Sequence, residues 1–168
     1  AGEDVSLCIN ESIRLHATGT GSFLWSPAAS MDDPSIPSPK VSPQATTMFR
    51  VILTDNFGCR NTDSVRVSVW KRPVPDAGPD QSLDYRFDTK MRAVLGLNET
   101  GEWSLIAGSG HFIDENDPVT DYKGLFLGEN RMKWTVSNGV CPPGSDEVVI
   151  IVHDLVIPTL VTPNMDGK

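Results

Sequence analysis

Four sets of side chains in this 168-residue chain have types that could do chemistry: an acidic run, three histidines, three cysteines and four tryptophans. Asp114-Glu115-Asn116-Asp117, with Asp121 close behind, groups the hard oxygen donors that calcium takes, but lacks the Gly and Glu that an EF-hand loop carries at its sixth and twelfth positions. It is a weak calcium-loop candidate, a solvated acidic loop is the plainer expectation, and no metal is assigned. His16, His111 and His153 fall on three separate segments with no carboxylate or cysteine paired to them in sequence range. They read as surface or edge histidines, so no catalytic residue is named and no enzyme is expected. The weakest rival reading is an enzyme that gathers residues 114–121 and a distant histidine in one pocket.

Cys8, Cys59 and Cys141 show no C-x-x-C spacing and no neighbouring histidine, which argues against a zinc site or a thioredoxin-like centre. An odd count leaves one thiol over. If Cys8 and Cys59 pair, they close a loop of about 51 residues, worth about 4 kcal/mol in the chain-entropy account, and such a bond would mark an exported protein. Cys141, between Val140 and Pro142, is expected to be buried. Trp25, Trp103 and Trp134 could stack on sugar rings, but core packing is the expected role. Trp70 lies on the polar face of its alternation, so it is expected as an interdomain contact together with Pro73 and Pro75. Asn10-Glu11-Ser12 and Asn98-Glu99-Thr100 match the glycosylation sequon, which has meaning only in a host with the matching transferase; if the source is bacterial, both are expected as unmodified turns.

These residues must be positioned by short extended elements. Fourteen glycines and thirteen prolines leave little room for ordinary helices, which excludes long bundles and a doubly wound α/β enzyme. Ile13, Leu15 and Ala17 alternate with polar residues, as do Val65, Val67 and Val69, with the period of half-buried strands. The run over residues 46–54 puts Phe49, Val51 and Leu53 on one face and ends in Asp55-Asn56-Phe57-Gly58. Met132, Trp134 and Val136 alternate before Asn138-Gly139, and Val148, Ile150 and Val152 alternate after Pro142-Pro143-Gly144.

The pattern occurs twice. Ala1-Gly2-Glu3-Asp4-Val5-Ser6-Leu7 returns 76 residues on as Ala77-Gly78-Pro79-Asp80-Gln81-Ser82-Leu83. Between the copies Pro73-Val74-Pro75 stiffens the connection. The expected architecture is all-β: two tandem immunoglobulin-like antiparallel β-sandwich domains, with a short barrel for each unit as the alternative. The expected division is residues 1–72, residues 73–154, and a tail of residues 155–168. Residues 1–72 hold seven basic and seven acidic side chains, so the net charge of −8 sits entirely in the remainder. That sign excludes nucleic acid as a natural partner, and no apolar run approaches the ~20 residues of a membrane span. Neither end carries a signal peptide or a finished element, and both read as cuts within a longer chain.

The first unit resembles the PKD-like, immunoglobulin-like repeats of bacterial surface proteins. The resemblance rests on Ala1-Gly2-x-Asp4 with Cys8, Phe23-Leu24-Trp25-Ser26-Pro27, Thr46-Thr47-x-Phe49-x-Val51 and Asp55-Asn56-x-Gly58-Cys59. The second resembles a companion repeat through Asp76-Ala77-Gly78-Pro79-Asp80, Gly101-Glu102-Trp103-Ser104, Trp134-Thr135-Val136-Ser137-Asn138-Gly139 and Cys141-Pro142. Residues 157–168 are similar to the opening of a gliding-motility-associated C-terminal sorting domain, with Met165 where glycine is usual. Asn164-x-Asp166-Gly167 would begin a calcium turn there and is incomplete. The resemblance implies a disulfide between Cys8 and Cys59. Asp84 aligns with Cys8, which leaves Cys141, aligned with Cys59, as the free thiol.

The implied function is a non-catalytic extracellular structural or adhesion module. It would space and present the outer part of a large cell-surface protein exported by type IX secretion, as in a gliding adhesin. Its implied partners are neighbouring repeats, the sorting domain and the secretion machinery, with no cofactor. A carbohydrate- or protein-binding module, or the stalk of a secreted polymer-degrading enzyme, is the alternative.

Overall fold

Thirteen strands and no helix make up the described part, residues 1–155, of this computed structural model. The Cα packing divides it into two compact units. The first comprises Ala1–Val74, Gly96–Thr100 and Val136–Gly144, and the second Pro75–Leu95, Gly101–Thr135 and the described residues from Ser145 on.

The first unit contains β1 (Val5–Cys8), β2 (Ile13–Arg14), β3 (Ser22–Ser26), β4 (Lys40–Val41), β5 (Thr47–Thr54) and β6 (Arg60–Trp70). One sheet runs β1-β6-β5-β3, and β2 pairs with β4 in the other. The alternation of β5 and β6 buries Phe49, Val51, Val65 and Val67, which pack with Leu7, Leu15, Trp25 and Val41 in one core. Burial of these alternate residues is what fixes the register, because a one-residue slip would turn them all to solvent. β1 lies parallel to β6, with Cys8 opposite Trp70. Asp4 secures this pairing by accepting the N–H of Arg66 at 2.8 Å.

The second unit contains β7 (Gln81–Asp84), β8 (Asp88–Lys90), β9 (Thr100–Ala107), β10 (His111–Phe112), β11 (Asp121–Lys123), β12 (Gly128–Ser137) and β13 (Gly144–His153). The tips of β9, β12 and β13 belong to the segments that group with the first unit. Its sheets run β7-β13-β12-β9 and β10-β11-β8. β7 is parallel to β13, with Asp84 opposite His153, and Asp80 accepts the N–H of Val149 at 2.8 Å. The core is aromatic: Trp103 lies 5.0 Å from Trp134 and 5.6 Å from Phe112, and Phe112 meets Tyr122 edge-on at 4.6 Å. Such offset and edge contacts suit the ring quadrupoles.

Candidate functional site

The most built feature of the first unit is a hairpin tip bolted to a strand end. Asn138 shapes the tip: its Oδ1 accepts the N–H groups of Val140 at 3.1 Å and Cys141 at 2.9 Å, while its Nδ2 donates to Lys71 O at 2.8 Å. This Asx turn aims Cys141 inward, where it forms a disulfide with Cys8, the two Cα atoms 5.0 Å apart. Both cysteines are buried. Cys8 N–H is held by Glu11 Oε2 at 3.2 Å, and Trp70 O accepts the N–H of Ile9 at 2.8 Å. Cys141 Sγ lies 3.5 Å from the same Trp70 oxygen. Trp70 is half-buried, Pro73 buried and Pro75 half-buried.

This bond corrects two expectations. Cys8 does not pair with Cys59, and Cys141 is not the free thiol; Cys59 is, and it is exposed. The reason is strand direction. The parallel register carries Cys8 to the Trp70 end of β6, whereas Cys59 precedes Arg60 at the other end. Ten residues of strand put roughly 33 Å between those ends, and a disulfide needs Cα atoms within about 7 Å.

The acidic run does structural work. Asp114 Oδ1 accepts the N–H of Asn116 and Asp117 Oδ1 that of Val119, each at 2.9 Å. The Glu115 carbonyl accepts the N–H of Trp103 at 2.8 Å, and the Asp121 carbonyl that of Ile113 at 2.9 Å. The segment thereby covers the open edge of β9. Among the described residues no three His, Cys, Asp or Glu side chains are placed to hold a metal ion. Asn164 and Asp166 lie outside the described residues.

Trp25, Trp103 and Trp134 are buried, which removes their ring faces from any sugar. His16 Nδ1 contacts Ser38 Oγ at 2.8 Å and His153 Nε2 contacts Ser82 Oγ at 2.9 Å; both histidines, like His111, are exposed. The His16–Ser38 pair joins two loop segments and the His153–Ser82 pair joins two neighbouring strands. The Asp32 carboxyl is held below its usual range by the N–H of Lys40 at 2.8 Å, reinforced by that of Asp33, so it too serves a loop. Burial pushes the Tyr122 hydroxyl above its usual value.

No family model matches this sequence, and no curated protein matches it. Among solved structures, the crystal structure of Ig1 and Ig2 of DIP-gamma matches 90% of this chain and 94% of its own, at 14% identity and a TM-score of 0.55. The fold is immunoglobulin-like. The PKD domain of the KIAA 1837 protein matches 51% of this chain and 90% of its own, at 22% identity and a TM-score of 0.45. The fibronectin(III)-like modules of Clostridium thermocellum CbhA match 90% of each chain, at 13% identity and a TM-score of 0.40. No enzyme family is among these likenesses.

The functional feature that sequence reasoning missed is the partner of Cys141. A signal was present: Asn138-Gly139 two residues before Cys141 marks a tight turn. What it did not reveal is which strand end the turn would meet.

Proposed function

We propose that this chain is a non-catalytic extracellular structural module, spacing and presenting the outer part of a larger surface protein. The observation that carries the reading is the Cys8–Cys141 bond, which spans 133 residues of a chain made of two immunoglobulin-like repeats. Its loop-closure contribution, about 5 kcal/mol in the chain-entropy account, is at the upper end for one cross-link, and structural disulfides persist in oxidising compartments. Load applied to the two ends of the chain passes through the sulfurs and leaves the enclosed residues relaxed, which is what a spacer under shear requires. The buried tryptophans and the acidic second repeat weigh against a sugar platform or an anionic ligand. The resemblance of residues 157–168 to the opening of a sorting domain supports export by type IX secretion to a bacterial cell surface, with neighbouring repeats and that domain as partners.

Single-molecule stretching between the chain ends tests this. In oxidising buffer the segment between Cys8 and Cys141, a sequence separation of 133, should contribute no extension; reductant should release about 450 Å more, at ~3.4 Å per residue. Equal extensions in both buffers would remove the load-bearing role. Saturable binding to a glycan array would move the assignment to a recognition module.

A further inference from the structure

β3 and β9 are the edge strands of their sheets, and the two edges are finished differently. Trp25 N–H bonds to Pro34 O and Trp103 N–H to Glu115 O, both at 2.8 Å. Since β12 is the neighbour of β9 in its sheet, the bond to Glu115 points Trp103 N–H away from that sheet, and alternate residues of an antiparallel strand direct their N–H and C=O groups to the same side. Leu105 and Ala107 therefore present theirs to the same open side, where no backbone group among the described residues bonds them. The cover that the acidic run gives β9 reaches only as far as Trp103. In the first repeat the residue two past the tryptophan is Pro27, which has no N–H to offer, and β3 stops at Ser26. β9 runs on past Leu105 to Ala107. Proline is one of the devices that keep a sheet edge from pairing, and the β9 edge lacks it. Its side chains are open as well: Leu105 is 41% and Ile106 46% exposed, and Ala107 and Gly108 are exposed. In a chain of net charge −8, residues 103–110 carry no charge at all. A charged edge would set like charges against each other when two copies meet, whereas an uncharged one can approach itself.

We propose that this chain forms a two-fold dimer through its second repeat, the β9 edge of one copy pairing antiparallel with the β9 edge of a second copy. The bonds already made fix the register. A two-fold axis at Leu105 would need the N–H of Trp103, which Glu115 O holds, so the axis falls at Ile106. Leu105 then exchanges two hydrogen bonds with Ala107 of the second copy, and Ala107 two with the second copy's Leu105, large side chain beside small. The two Ile106 side chains meet across the axis as a non-hydrogen-bonded pair, the closer kind, with Cα atoms about 4.5 Å apart. The sheet β7-β13-β12-β9 becomes continuous from one copy to the other.

Sedimentation equilibrium of the full chain tests this, with Cys59→Ser throughout to remove the exposed thiol. The mass should rise from one chain toward two as concentration increases through the micromolar range. Leu105→Pro, which copies Pro27, and Ile106→Lys, which sets two ammonium groups across the axis, should each weaken the dimer about tenfold or more. Ile106 is exposed, so Ile106→Lys keeps the test decisive if Leu105→Pro unfolds the repeat; thermal melts report which variants have folded. In a glutathione redox buffer Ile106→Cys should cross-link two copies through its own position, and Leu105→Cys should not, because Leu105 lies opposite Ala107 and too far from its own counterpart for a disulfide. A chain that stays monomeric at every concentration would overturn the proposal and leave the β9 edge to a strand of another protein. Equal cross-linking by the two cysteine variants, or a dimer indifferent to both Leu105→Pro and Ile106→Lys, would put the contact elsewhere and overturn it too.

Discussion

The two repeats share a frame of hydrogen bonds and differ in what fills and staples it. Asp4 and Asp80 hold their parallel first strands in the same way, and Trp25 and Trp103 donate their N–H groups to Pro34 O and Glu115 O, which cover the edge of β3 and of β9. Leu15 and Ala17 bond to Pro39 and Pro37 as Met91 and Ala93 bond to Thr120 and Pro118. The filling is exchanged. Where the first repeat has Phe23 two residues before its tryptophan, the second has Gly101, and Trp134 stands where counting back from the capping Asx residue gives Val51 in the first. Backbone polar groups have to be paired wherever they are buried, so those devices recur, whereas apolar volume only has to sum correctly and can move between strands.

The sharpest way to break the equivalence is at the staple. Cys141→Ser in oxidising buffer should lower the stability of the first unit by about 3–5 kcal/mol, read as a drop in guanidinium midpoint, whereas Cys59→Ser should stay within about 0.5 kcal/mol. Coincident midpoints for the two variants would mean that the 133-residue closure contributes nothing.

The exchanged filling comes next. A Cβ on Gly101 would lie 2.1 Å from the Trp134 ring, so Gly101→Ala should cost about 1–3 kcal/mol by overpacking, and adding Trp134→Phe should recover part of it. A neutral Gly101→Ala would show that the second core has room the packing denies.

A smaller contrast separates the two matched tryptophans. Trp25 Nε1 donates to Ile36 O at 3.0 Å, but Trp103 Nε1 is buried with no acceptor among the protein atoms. Trp25→Phe should therefore cost about 1 kcal/mol more than Trp103→Phe, because only the first leaves a carbonyl unpaired. Thermal melts of the two variants would decide it, and the reverse order would refute it.

The least effect is in pH. Both tyrosines, Tyr85 and Tyr122, fall in the second repeat. Unfolded Tyr122 ionises near its ordinary value of 10.0, while burial makes the folded side chain keep its proton to higher pH. Above pH ~10 the folded state binds more protons than the unfolded one, so this contribution is complete below that pH and falls as pH rises toward the folded value. Tyr122→Phe should flatten alkaline melts of the second unit; an unchanged slope would put the titration elsewhere.

Much of the fold was legible because strands announce themselves by alternation. Phe49 and Val51, Val65 and Val67, Met132 and Trp134, and Ile150 and Val152 are buried alternately in the structure, and Asp55 and Asn138 mark turns by residue type alone. The roles of Asp114 and Asp117 were less legible, since an Asx turn and a cation loop draw on the same oxygens and differ only in where those oxygens converge. Asp4 and Asp80 stood in a visible repeat, but a side chain that caps a strand across 62 residues has no local signature.

The sequence by itself determined that this is an all-β chain of two immunoglobulin-like repeats, because side-chain period and turn chemistry act over a few residues and need nothing from afar. Only the tertiary structure decided which sulfurs meet. Cys8 and Cys59 looked like natural partners along the chain, but β1 runs parallel to β6 and carries Cys8 to the far end, where the tip bearing Cys141 closes on it. Strand direction is set by the packing of the whole sheet, and a covalent bond forms only between atoms that packing has already brought together.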